Sequence, residues 1–278
     1  MSEPQQQIVP HIIIPCAGEG KRFKEQGYTE PKPLIPVGGR LMLDWVLDVV
    51  PREWKWNIIA VIRQVQDIPT MDLANALFDW KWSQFDEQAA NAPHIAQCII
   101  PGPTQGAACS VLSAAVGLPP DEPVIVLNSD QYIQCNLQAI HDTAMAEGWD
   151  GCILTFEHGD TWPGPAWSYV VTDHGGRVRR VVEKPSTPIP NSAATVGLYW
   201  WRHAGDLVRS ICTMIATNQR VNGEYYLAPA YNAYNLATHR VYAVDVEEFH
   251  GLGTPEQVKL FEQYLAARTQ PELAEICA

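Results

Sequence analysis

The segment "IIIPCAGEGKRFKEQGYTEPKPLIPVGG", Ile12 to Gly39, constrains this chain more than any other. Ile12 to Pro15 reads as a short strand buried on both sides, the kind a sheet covered on both faces requires. The turn after it carries Gly18 and Gly20 with Lys21 and Arg22 set among them. Glycines let backbone N–H groups converge on an anion, so a glycine-rich turn after a strand is a ready phosphate cradle. A plain strand-to-helix turn would explain the glycines but not the cations.

Beyond it, the pattern alternates. "LMLDWVLDVV" has helical spacing and "WNIIAVIR" is a strand. The polar stretch from Gln66 to Asn91 holds a helix of poor period. "IAQCIIP" is a strand, "TQGAACSVLSAAVGL" a helix of small residues, and "EPVIVLNSD" a core strand ending in polar residues. Such alternation predicts a mostly parallel sheet with helices on both faces. The second half is richer in strands: "DGCILTFE", "WSYVVTD", "RVRRVVEK" and "TVGLYWWR", with a hairpin turn at "DHGGR". A helix "AGDLVRSICTMIATN", a late strand "RVYAVDVEEF" and a last helix capped by Thr254 with Pro255 at its first position follow. With neither a Ser/Gly linker nor a repeat, the expectation is one domain over 1–278: a nucleotide-binding half (1–135), a sugar-phosphate half (136–254) forming a strand-rich lid, and a terminal helix (255–278).

Composition excludes some partners. The 278 residues carry a net charge of −12 with a pI near 5.0, which disfavours sequence-independent binding to nucleic acid or to anionic membrane. The cations that matter are local: Lys21, Arg22, Lys24 and Lys32 gather in the opening segment. Seven cysteines without a CxxC pair point to buried free thiols in a reducing compartment. "MSEPQQQIVP" lacks the charged and apolar regions of a signal peptide, and no apolar run is long enough to span a bilayer. A cytoplasmic protein is expected, and the many tryptophans leave room for a homo-oligomer interface.

Two familiar phosphate motifs fail. A P-loop, GxxxxGK[ST], would need glycine where Pro15 stands and a hydroxyl where Arg22 stands. A dinucleotide GxGxxG would need glycine at Phe23. The longer pattern, GxGxRF followed by "PKPLIPV", resembles the signature of the sugar-phosphate nucleotidyltransferases. "TQGAACSVLSA", "VLNSDQYI", "VVEKP" with "ATVGLYWW", and "GLGTPEQV" match later motifs of that family in order. The glucose-1-phosphate thymidylyltransferase-like and capsule-biosynthesis members are most similar.

The resemblance implies a Rossmann-like mixed sheet of the nucleotide-diphospho-sugar transferase type. It implies an NTP and a sugar 1-phosphate as substrates, Mg²⁺ as cofactor and pyrophosphate as product. Ala17, Gly18, Glu19, Gly20, Lys21, Gln105 and Gly106 would bind the nucleotide. Arg22 would hold the leaving pyrophosphate and Lys32 the α-phosphate. Asp130, at a strand end, would bind the metal. Lys184 would bind the sugar phosphate, and Tyr169, Glu183, Gly197, Tyr199 and Glu224 the sugar side, with Tyr226 a pocket candidate. Three positions depart from the family. Gly251 stands where many members have a second metal carboxylate, leaving Asp245, Glu247, Glu248 or His250 as substitutes, or a single carboxylate that suffices with phosphates and water. Val170 replaces a glycine after the tyrosine, and Pro101 replaces a base-reading side chain. A non-catalytic nucleotide sensor, a cytidylyltransferase for a non-sugar phosphate and an NAD-dependent oxidoreductase are the competing readings.

Overall fold

The computed structural model describes residues 10–52, 56–64, 70–85, 92–158 and 162–276. The first nine residues and parts of the Gln66 to Asn91 stretch lie outside them. β1 (His11–Pro15) leads through a short helix α1 (Lys21–Glu25), a 3-10 turn (Lys32–Leu34), β2 (Pro36–Val37) and β3 (Arg40–Leu41) into α2 (Met42–Leu47). Next come β4 (Asn57–Arg63), α3 (Thr70–Gln84), β5 (His94–Ile100), α4 (Ala107–Ala115), β6 (Val124–Leu127), β7 (Gln131–Gln134) and α5 (Leu137–Ala146). The second half holds β8 (Gly151–Phe156), β9 (Ser168–Thr172), β10 (Val178–Glu183), β11 (Ser192–Trp201), α6 (Ala204–Ala216) and α7 (Ala230–Ala233). β12 (Val241–Asp245), β13 (Glu248–Gly251) and α8 (Pro255–Ile276) close the chain.

Nine strands form one mixed sheet in the order β10-β9-β11-β6-β1-β4-β5, with β8 on β11 and β12 on β8. β5, β4, β1 and β6 run parallel, as the strand-helix alternation predicts. The strand-rich half is joined to them by β11, which runs antiparallel to β6, β8 and β9. The β9–β10 hairpin closes at Asp173, whose Oδ1 accepts from the backbone N–H groups of Gly175 and Arg177. The late strand divides into β12, parallel to β8, and β13, antiparallel to β7.

Strand alternation explains why β1 and β6 read as continuous apolar runs. Ile13, Val124 and Val126 enter one core with α4 and α6, while Ile12, Ile14, Ile125 and Leu127 enter another with α2, α3 and α5. α3 has a regular buried stripe after all, through Leu73, Leu77 and Trp80. A third, smaller core of Phe23, Ile35, Val37, Met42, Leu252, Val258 and Phe261 fastens α8 over the glycine loop. Thr254 caps α8, its Oγ1 accepting from Gln257 N at 3.2 Å. The six described cysteines are free, and burial pushes the Cys16 and Cys135 thiols up to about 12, which keeps them protonated and inert.

The sheet pivots at Gly197. β11 pairs with β9 over 192–194 and with β6 over 198–201, and Gly197 lies between at φ +80°. Its carbonyl accepts from Asn128 N (2.9 Å) and Gln131 Nε2 (3.1 Å). A Cβ there would stand 2.4 Å from Asn128 Nδ2 and from Gln131 Oε1. Gly197→Ala is therefore expected to lower the unfolding free energy by about 3 kcal/mol, from steric overlap plus left-handed strain, as read from urea denaturation midpoints.

Candidate active site

β1 leads outward to β4, whereas β6 arrives from β5 on the far edge and is followed by the antiparallel half. Where neighbouring parallel strands diverge in this way, their carboxyl ends open into a crevice that takes ligands. The loop after β1 and residues Asn128, Ser129 and Asp130 after β6 are its two lips, tied by Ser129 Oγ donating to Pro15 O at 3.0 Å. Gly20 turns the first lip at φ +63° and gives its carbonyl to Phe23 N and Lys24 N. This anchors Phe23, which is buried. α1 is only five residues long. A helix that short contributes little macrodipole, so side-chain cations must supply most of the positive potential.

Two chambers open from this crevice. Gly18, Glu19, Gly20, Lys21, Lys32 and Glu224 line the first. Gln131, Trp167, Ser168, Glu183, Lys184, Tyr199, Phe249 and Gln257 line the second. Arg22, Ala107, Asn128, Asp130, Tyr226 and Gly253 face both. Lys32, held between Pro31 and Pro33, donates from Nζ to Asp130 Oδ2 at 2.5 Å and to Gly253 O at 3.4 Å. Two residues expected in separate roles are thus paired across 98 positions of sequence. Arg22 has no ion-pair partner among the described residues and stands exposed at the boundary.

In the second chamber, Lys184 adopts φ +47°, a conformation rare for a side-chain-bearing residue and one that clusters at functional sites. Its backbone N bonds Trp167 O at 3.0 Å, and its Nζ bonds the Tyr226 hydroxyl and lies 4.0 Å from that ring's centre. Glu183 accepts from Ser168 Oγ. Burial raises its pKa, only partly offset by Ser168 and by the neighbouring Lys184. Tyr199 is buried and its pKa is pushed well up by desolvation.

Other expected residues sit differently. Tyr169 is not on the cleft wall: in β9 its neighbour Ser168 faces inward, so Tyr169 points to the opposite side and its hydroxyl donates to Gly164 O at 2.8 Å. Gly106 is pressed on a strand-like segment, where an added Cβ would meet Tyr225 O at 2.4 Å. Gln105 gives its carbonyl to Tyr225 N and its side-chain oxygen to Arg220. Neither lines a chamber; Ala107 does. Gly106 thus serves close packing, and Gly197 serves the pivot described above while also facing the second chamber. Ala17 is buried core, Glu19 pairs with Lys21 (2.9 Å) and Arg63 (3.8 Å), and Glu224 faces the first chamber rather than the second.

The model of a family described as Nucleotidyl transferase matches residues 11–219, a span that includes both lips and all of β11. This chain belongs to that family. The chain is 23% identical over 264 residues to the bifunctional protein GlmU of Thermotoga maritima, covering 95% of this chain and 53% of that protein. The chain thus spans about half the length of the curated relative it matches. A nucleoside-diphosphate-sugar pyrophosphorylase from Vibrio cholerae RC9 superposes with a TM-score of 0.71 at 20% identity, covering 91% of this chain and 99% of that one. A UDP-glucose pyrophosphorylase solved with UDP-glucose gives 0.72 at 14% identity, over 94% and 100%. At such identities the likeness is one of fold, and it agrees with the mixed sheet built by β6, β11 and β8.

None of the residues considered as substitutes at Gly251 lines the cleft. β13 alternates so that Phe249 and Gly251 face the second chamber while Glu248 and His250 turn to α8, bonded to each other at 2.8 Å. Asp245 accepts from Thr155 Oγ1 at 2.6 Å, and Glu247 from Gln134 at 3.3 Å. Trp167, Ser168 and Phe249 belong to none of the motifs, whereas Asn128, Gln131 and Gln257 lie inside "VLNSDQYI" and "GLGTPEQV" at positions to which the motifs assign no role. The hairpin register does contain a signal for Ser168, since it pairs with Glu183.

The raised Glu183 pKa has a sign that can be measured. A carboxyl that binds its proton more tightly when folded loses stability as pH rises from the ordinary 4.5 through the native value. Glu183→Gln removes that loss, so its stability relative to wild type should grow across this window in urea melts at stepped pH.

Proposed function

We propose that this nucleotidyl transferase joins an NTP to a sugar 1-phosphate, releasing pyrophosphate. The observation that carries the reading is the meeting, at Asp130, of two chambers that each carry cations in their lining. Lys21 and Lys32 line the first, Lys184 the second, and Arg22 and Asp130 stand in both. That arrangement suits a reaction between two polyanions, where the barrier is lowered by neutralisation and alignment rather than by covalent catalysis.

In this reading the triphosphate lies along Gly18, Gly20 and Lys21, with Lys32 at the α-phosphate. Lys184 draws the acceptor phosphate into the second chamber, and Glu183 takes hydrogen bonds from sugar hydroxyls. An acceptor phosphate oxygen attacks the α-phosphorus, a new P–O bond forms, and the bond to the bridging oxygen of pyrophosphate breaks. Arg22 receives the charge that develops on that leaving group, a bidentate task for which its planar fork is suited. The Lys32–Asp130 pair must exchange partners as the triphosphate enters, since Lys32 moves from a carboxylate to a phosphate.

We further propose Mg²⁺ as cofactor, held by Asp130, where it would neutralise triphosphate charge. Asp130 is the one carboxylate shared by both chambers, and among the described residues no three His, Cys, Asp or Glu gather to form a closed metal cage. Such a donor set fits Mg²⁺, which completes its shell with water and substrate phosphate. Among the described residues no helix is long and apolar enough to cross a membrane.

The deciding measurement is pyrophosphate release from a panel of NTPs and sugar 1-phosphates, with choline phosphate included. Release requiring both partners supports the reading; nucleotide binding without turnover would return the sensor alternative. Arg22→Ala and Asp130→Asn should each lower kcat about 10²- to 10³-fold, the usual size for one electrostatic contact to a transition state, while urea midpoints stay near wild type.

A further inference from the structure

An added Cβ at Gly251 would meet Gln257 Nε2 at 2.8 Å, Gln257 Cδ at 3.1 Å and Trp167 Cη2 at 3.1 Å. The indole and the amide already occupy the space a side chain at 251 would need. This gap is therefore filled by neutral groups from two other elements, the loop before β9 and the first turn of α8. A side chain there would have to move the flexible end of Gln257 aside and shift the indole by a few tenths of an ångström.

The indole does not stand alone. Trp167 meets Phe249 edge-on at 5.3 Å and Phe156 at 5.5 Å, and Phe156 stacks on Phe249 at 4.8 Å. Three rings in mutual contact hold one another in place, and Trp167 and Phe249 present their free surface to the second chamber. The carbonyl of Trp167 is bonded to Lys184 N. Trp167 and Lys184 are thereby joined by one backbone contact at the open end of the β9–β10 hairpin, immediately before the first strand and after the second.

Resting on the function proposed above, we propose that Trp167 is a specificity-determining residue for the acceptor. The sugar of the sugar 1-phosphate lies with an apolar C–H face on the Trp167–Phe249 platform. Its phosphate reaches Lys184, and its ring hydroxyls reach Glu183 and the Gln257 amide. Aromatic faces bind C–H surfaces that carry partial positive charge and exclude water from the polar contacts around them. Acceptors lacking such a face, or bearing an anionic group toward position 251, are selected against by the same platform.

The test is steady-state kinetics of Trp167→Ala and Trp167→Phe with the NTP and sugar 1-phosphate on which the wild type is active. The alanine variant should raise the acceptor KM about tenfold, with the NTP KM within twofold of wild type, and the phenylalanine variant should recover most of the loss. Quenching of tryptophan fluorescence by the acceptor should disappear in both variants. An unchanged acceptor KM in the alanine variant overturns the inference while leaving the transferase reading intact. So does an equal rise in both KM values, which would mark a structural role. A wild type that releases no pyrophosphate with any sugar 1-phosphate overturns both.

Discussion

Everything at the cleft depends on β1 and β6 lying side by side in parallel, His11 opposite Val124 and Ile13 opposite Val126. That register places the end of one strand, Pro15, next to the end of the other, Leu127, so two loops more than a hundred residues apart in sequence share one crevice. Hydrophobic alternation on both strands is what makes the register costly to slip. A shift of one residue would exchange every isoleucine and valine between the two cores. The Ser129–Pro15 hydrogen bond and the Lys32–Asp130 pair are consequences of that register rather than its causes.

The Lys32–Asp130 pair illustrates how the cleft is kept ready. The Lys32 side chain is 18% exposed and that of Asp130 33%, so each would carry a desolvation cost if left alone. Pairing them offsets that cost, and in the function proposed above a phosphate and a cation would take the partners' places. Arg22 is under no such constraint, because it stands in solvent. The glycine loop therefore contains two kinds of cation: one stored against a carboxylate, the other free to meet charge as it arrives.

The sequence told more about positions than about faces. The glycine loop, the Pro-framed Lys32, the strand-end Asp130 and the Glu183–Lys184 pair all proved to line one cleft, because each belongs to a motif whose local conformation is dictated by its own residues. Tyr169 turns away from the cleft, which its motif could not reveal because a motif match carries no information on strand parity; the pairing of Ser168 with Glu183 shows which residue faces in. The motifs make Gly106 and Gly197 ligand-contact candidates, and Gly197 does face the second chamber, but backbone or amide atoms 2.4 Å from the missing Cβ already account for the want of a side chain at both. Glycine is invited by any close approach, whether ligand or protein. The aromatic platform was illegible for another reason: Phe156, Trp167 and Phe249 come from three separate elements, and isolated aromatics look like core.

Gly251 then takes on a different meaning. As a motif departure it suggested a deficient metal site in search of a substitute carboxylate. In the structure the vacancy is filled, by Trp167 from one side and Gln257 from the other, and the acidic side chains nearby are turned away by strand alternation or bonded elsewhere. A low-dielectric wall strengthens the remaining electrostatics beside it. With fewer fixed negative charges near Asp130, the pull of Arg22, Lys32 and Lys184 on incoming phosphates is less offset. The wall beside Asp130 is thus aromatic and amide in character where the motif led one to expect a carboxylate, and in the function proposed above its shape and polarity would bear on which acceptor fits.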